Sequence, residues 1–220
     1  MTSPVQQGAT GTATIASGTA STPLASNTTL GNSVVAVIEI ATNGADNVSA
    51  ISSPIGTFTK AVAEDVAGSN YNPIEIWVCE NVTGASTSIT VTTANANALR
   101  VALFEWPGQI TGTLVTASSS GDSVTPSVSI TPGSTGQVVM AAYISNGGAN
   151  TAHPGSPWVE MTAVGYWGAG GYFDVVWQTA ASTGALTASW TVPVYDWTTV
   201  AVAFTLKSTA NSNFFAFMGA

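Results

Sequence analysis

Ile74-Glu75-Ile76-Trp77-Val78 in the first half of the chain is answered by Asp174-Val175-Val176-Trp177-Gln178 in the second, at an offset of 100. The same offset carries Gly84-Ala85 onto Gly184-Ala185, and Val101-Ala102-Leu103-Phe104 onto Ala201-Val202-Ala203-Phe204. Upstream the offset is 104, and Gly31-Asn32-Ser33-Val34-Val35-Ala36 faces Thr135-Gly136-Gln137-Val138-Val139-Met140. A repeat of half the chain exceeds the roughly 20–50 residues of a solenoid unit. It reads as one all-β half written twice, with pseudo-repeats at about 5–107 and 113–206. Trp77 and Trp177 are then expected to be equivalent core residues.

No segment sustains a 3.6-residue period, so no substantial helix is expected. Thr, Val and Ile dominate between Gly, Asn and Pro breakers at strand-length intervals. Strands are predicted near 10–16, 21–26, 33–41, 57–64, 73–80, 87–93 and 98–106. Their second-half partners fall near 113–118, 122–130, 137–145, 158–166, 172–180, 186–192 and 198–206. Val34-Val35-Ala36-Val37-Ile38 is apolar on both faces, which belongs in the middle of a large structure. The connection 107–113, Pro-Gly-Gln-Ile-Thr-Gly-Thr, is too short and apolar for a flexible linker. One antiparallel β-sandwich of jelly-roll type over residues 1–206, followed by a tail at 207–220, is the expected organisation.

Only 6% of the 220 residues are charged, against roughly a quarter in an average globular protein. Ser, Thr, Asn and Gln supply the polarity instead. The net charge is −8, and Lys60, Arg100 and Lys207 are the only Lys or Arg residues. Three scattered cations do not neutralise a phosphate backbone or an anionic bilayer, so neither nucleic acid nor a membrane is expected as partner. Cys79 is the sole cysteine, which excludes an intramolecular disulfide. Met1 to Gln7 has neither the cationic nor the apolar region of a secretory signal. Either a leader has been removed or the protein leaves its cell by lysis, as a virion component does.

Several stretches together resemble a known domain. They are Gly31-Asn32-Ser33-Val34-Val35-Ala36-Val37, Val48-Ser49-Ala50-Ile51, Gly56-Thr57-Phe58, Asn81-Val82-Thr83-Gly84-Ala85-Ser86-Thr87-Ser88-Ile89-Thr90-Val91, and Glu105-Trp106-Pro107-Gly108. The pattern is similar to the duplicated β-sandwich of tailed-phage virion proteins and of secreted bacterial proteins. The resemblance spans residues 5–206 and rests on turns and core positions. It implies a fold and an assembly role, and it carries over no catalytic residue and no cofactor.

Motifs that carry chemistry are sparse. Gly121-Asp122-Ser123 has the letters of an esterase serine motif, but it lies in a Ser/Thr/Val strand. The only histidine, His153, is followed by Pro154 in a Gly-rich loop. Nucleophilic catalysis needs an oriented base, so the motif reads as a turn at the start of a strand. Glu39, Glu75, Glu105, Asp174 and Asp196 lie on or beside central strands, and a glycosidase would need two of them across a cleft. At the offset of 100, Glu75 meets Val175 and Glu105 meets Thr205, and the acids read as strand caps or as partners of Arg100. Loop oxygens near Asp46-Asn47 and Asp65 give only a weak calcium signal. No metal or cofactor is expected.

Two features break the repeat. Nine aromatic residues crowd 158–197, where the first half has Phe58, Tyr71 and Trp77. Trp167, Tyr172, Tyr195 and Trp197 sit beside loop residues, placed to contact a sugar ring or a protein partner, or to plug the end of the sandwich. After the polar hinge Asn211-Ser212-Asn213 comes an apolar plug containing Phe214, Phe215, Phe217 and Met218, expected either to fold onto its own sandwich or, the favoured reading because the hinge lets it reach, to dock into a neighbouring subunit. The expectation is a non-enzymatic virion protein, decorating the head or belonging to the tail, with other virion proteins or its own copies as partners. The alternative is a secreted module that binds cell-surface glycan or acts as an adhesin.

Overall fold

The computed structural model describes residues 3–9, 13–14, 19–41, 47–64, 73–93, 98–145, 152–161, 172–193 and 196–207. These residues contain strands and no helix. In the first half the strands are β1 (Gln6–Ala9), β2 (Ala13–Thr14), β3 (Thr19–Pro23), β4 (Ser33–Ala41), β5 (Val48–Ser52), β6 (Thr59–Glu64), β7 (Ile74–Cys79), β8 (Ser88–Thr93) and β9 (Ala98–Trp106). In the second half they are β10 (Gln109–Gly121), β11 (Ser127–Ile130), β12 (Val138–Ser145), β13 (Val159–Glu160), β14 (Tyr172–Thr179), β15 (Leu186–Ser189) and β16 (Trp197–Lys207).

The sheets repeat as the sequence does. One large sheet runs β1-β9-β4-β7-β6, with β2 extending the pairing of β1 to β9, and the other runs β10-β16-β12-β14-β13. Every strand pair is antiparallel. A smaller sheet β3-β8-β5 covers the outer face of the first, and β11-β15 covers the outer face of the second. Among the described residues the result is four layers with three apolar cores. Val35, Val37, Ile76 and Phe104 from the first large sheet meet Met140, Val175, Trp177 and Phe204 from the second in the central core. Val34, Ala36, Ile38 and Leu103 face the first outer core, and Val139, Ala141, Tyr143 and Ala201 face the other. This explains the apolar strands: β4 and β12 are buried on both faces because each lies between two other layers.

Three expectations change. First, the described strands form four sheets rather than the two of one sandwich, with β5 in an outer sheet and β6 paired with β7 in a large one. Second, the connection 107–113 runs straight into β10, whose Gln109 pairs with Lys207 and whose Ile110 is buried in the central core. β10 also takes in the expected 113–118 strand, while β1 and β5 arise where no strand was predicted.

Third, Trp77 and Trp177 are not equivalent. Ala102, Val37 and Ile76 are in register across β9, β4 and β7, and Val202, Met140 and Trp177 are in register across β16, β12 and β14. All six point into the central core. The counterpart of Trp177 is therefore Ile76, and Trp77 lies on the opposite face, half-buried against the first outer core. In a strand, a shift of one residue exchanges the faces.

Candidate functional site

The buried acids of the first half each hold the fold together. Glu75 on β7 accepts from Lys60 Nζ at 2.8 Å, from the Trp77 indole at 2.6 Å and from the Val48 amide at 3.3 Å. Lys60 also lies over the Trp77 ring, 5.3 Å from its centroid. These bonds tie β6 and the start of β5 to β7. Glu105 on β9 accepts from the Gln6 amide, the Thr29 backbone at 2.8 Å and Asn32 Nδ2 at 2.6 Å. Asn32 in turn accepts from the Gly108 amide at 3.0 Å, which fixes the turn leading into β10. Glu39 is fully buried and pairs with Arg100 at 2.7 Å across β4 and β9.

The second half holds a different constellation. Asp174 lies near the start of β14, opposite Tyr143 of β12. It is 2% exposed. Its Oδ2 accepts from the Trp190 indole at 2.6 Å, and that ring stacks on Tyr143 with centroids 5.3 Å apart. The same Oδ2 lies 2.8 Å from His153 Nδ1. An ionised carboxylate only accepts, so Nδ1 carries the proton and Nε2 is the ring nitrogen left for another partner. Glu160 on β13 then comes within 3.9 Å of Nε2. One oxygen, Asp174 Oδ1, is buried and makes no hydrogen bond among the described residues. The loop bearing His153 is set by the bridge of Ala152 to Thr191, and Thr191 follows Trp190 directly.

The hydrogen bond to Asp174 holds His153 above the ordinary imidazole pKa, an effect that partial burial opposes and the Glu160 charge assists. The group can store a proton or present a basic nitrogen next to a carboxylate. In the first half, register places Ala63 where Glu160 stands and Pro73 where Asp174 stands, so this is a feature of one half only. Sequence reasoning passed over it, since His153 and Asp174 are distant in sequence and match no local pattern.

The expected contact residues fare unevenly. Trp197 is a correction: it is 6% exposed, packs in the second outer core against Gly121, and donates its indole proton to the Ser123 carbonyl at 3.1 Å. Its position at the start of β16 points the ring inward, under the turn before β11. The Ser123 carbonyl is thereby tied into the core. Tyr172 begins β14, opposite Ser145, and its side chain is outside the described residues. Trp167, Tyr195 and the tail residues Phe214, Phe215, Phe217 and Met218 lie outside the described residues, as do Asp46 and Asp65.

A shallow groove of about 340 Å³ opens beside the start of β6 and the end of β7, lined by Thr57, Thr59, Val78, Glu80, Asn81 and Thr83. Comparison with protein-family models, with curated proteins and with solved structures finds no match for the chain.

Proposed function

We propose that the chain is a non-enzymatic structural protein of a tailed-phage particle, on the head or the tail, that works by assembling with other virion proteins or with its own copies. The observation that carries this reading is the engagement of Glu39, Glu75 and Glu105. Each is buried and held by groups from other strands or loops. Carboxylates bound in this way fix strand positions, whereas glycoside hydrolysis needs a pair facing a substrate. Exposed Ser49, Thr59, Thr116, Ser118, Ser129, Thr187 and Ser189 make the outer strands rich in hydroxyls and poor in charge. Interface centres are likewise depleted of Lys, Glu and Asp, and in that respect, though not in their serine content, such surfaces suit burial against a neighbour. Mass spectrometry of purified particles tests the proposal. The chain should be present in fixed ratio to the major capsid or tail protein and lost when its gene is deleted. A chain found only in the medium, free of particles, overturns it.

The second reading, a secreted glycan-binding or adhesive module, is favoured by the groove lined with Thr57, Thr59, Glu80, Asn81 and Thr83. Hydroxyl, amide and carboxylate groups match the alternating donors and acceptors of a sugar. A glycan array separates the two: binding that Asn81→Ala abolishes supports the module.

A further inference from the structure

We infer that His153 and Glu160 form a surface site for a borderline divalent cation of the Zn²⁺ class, with Asp174 behind the histidine as its positioning residue. This goes beyond the assembly reading and does not depend on it. Three groups on separate segments converge here, with ligating atoms within 4.8 Å of one another. Nδ1 of His153 is committed to Asp174, so the nitrogen left for a ligand is Nε2. Glu160 Oε1 stands 3.9 Å from it, beyond hydrogen-bond length. Tetrahedral ligands with bonds of about 2.0–2.2 Å lie about 3.4 Å apart. Both side chains are nearly half-exposed, so a small rotation closes the gap without disturbing the core.

Two further observations point to a cation. Asp174 is almost wholly buried, yet its Oδ1 makes no hydrogen bond among the described residues. Two donors reach its Oδ2 and none reaches Oδ1, and a dication bound through the imidazole would bring positive charge to this buried carboxylate. The arrangement also has the carboxylate–histidine–metal order in which an outer carboxylate fixes the tautomer and raises ligand basicity. An imidazole nitrogen beside a carboxylate favours Zn²⁺ over Ca²⁺ or Mg²⁺, which prefer all-oxygen sets. Water completes the coordination.

Calorimetric titration of the untagged, metal-free protein with ZnCl₂ tests the site, with CaCl₂ and MgCl₂ as controls and Co²⁺ absorption as a report on coordination. A single saturable Zn²⁺ site is expected, with no comparable binding of Ca²⁺ or Mg²⁺. His153→Ala and Glu160→Gln should each weaken it tenfold or more; Glu160→Gln should melt like the parent without metal, because it alters an exposed side chain, whereas His153→Ala also removes a donor from buried Asp174 and should melt lower. Asp174→Asn should weaken Zn²⁺ about 10–100-fold and change the Co²⁺ spectrum. If Asp174→Asn fails to fold, the other two variants decide alone. Absence of saturable binding overturns the inference, as does Zn²⁺ affinity that survives His153→Ala or equal affinity for Ca²⁺.

Discussion

Trp106 of β9 and Trp177 of β14 meet edge to face across the central core, with ring centroids 5.3 Å apart and planes at 77°. Trp106 makes a second such contact with Phe204, at 5.7 Å. One residue from the first half thus touches two from the second. The halves are joined by their bulkiest side chains as well as by the short turn at 107–108.

Truncating either tryptophan should destabilise the whole protein rather than one half. Trp106→Ala is expected to cost about 3–5 kcal/mol. A double-mutant cycle with Trp177→Ala should give a coupling of about 0.5–1.5 kcal/mol. Chemical denaturation followed by far-UV dichroism measures both. Two well-separated transitions in the parent, each altered by only one substitution, would contradict a shared core.

The Glu39–Arg100 pair offers a sharper test. Register places Ala142 and Val200 at the same positions in the second half, and both lie in the central core. The fold therefore accepts apolar residues there. Removing one partner, as in Arg100→Met, leaves a buried charge and should cost about 3–5 kcal/mol. Adding Glu39→Leu to that variant should restore most of the loss. A double variant no more stable than the single one would show that the charge itself is needed.

Gly84 and Gly184 match in the sequence repeat but not in their surroundings. A Cβ on Gly84 would sit 2.0 Å from the Pro54 carbonyl oxygen, while one on Gly184 meets only Ser182 Oγ at 3.4 Å. Gly84→Ala must move backbone and should cost about 1–3 kcal/mol. Gly184→Ala should stay within about 0.5 kcal/mol of the parent. Thermal melts of the two variants, side by side, are sufficient.

Cys79 is 1% exposed, and burial pushes its thiol above the usual cysteine range. A thiol kept protonated and covered should react with a disulfide reagent only as fast as the chain opens. The pH dependence follows from the sign of the shift. The folded value lies above an unfolded one of about 8.5. Its contribution to stability is therefore complete below that pH and is lost as pH rises through the folded value. The loss should be absent in Cys79→Ala, as melting curves across the alkaline range would reveal. Immediate labelling in native buffer would refute the covered thiol.

The all-β class and the doubly buried strands were legible because apolar runs such as Val34 to Ile38 leave no polar face for water. The repeat was legible only as matched runs along the chain; that both large sheets share one strand order comes from the structure. The phase of the repeat was not legible. The shared tryptophan drew Trp77 onto Trp177, whereas hydrogen-bond register pairs Ile76 with Trp177. A strand carries side chains on both faces, and when both faces are buried, apolar content no longer tells which is which. Trp197 misled for a related reason, since a residue beside a loop in sequence can still begin a buried strand. His153, Glu160 and Asp174 left no local trace, because β13, β14 and the loop before them are brought together only by tertiary pairing.

Because the same face of each large sheet lines the central core, the chain is built around a self-complementary contact. A half-length precursor with this face would have exposed a broad apolar sheet in isolation, and pairing with an identical copy about a twofold axis would have covered it. The covalent chain then reads as an ancestral homodimer made permanent by fusion. Once fused, the two copies no longer had to be identical, and the first half now carries the Glu39–Arg100 ion pair while the second carries a histidine flanked by carboxylates.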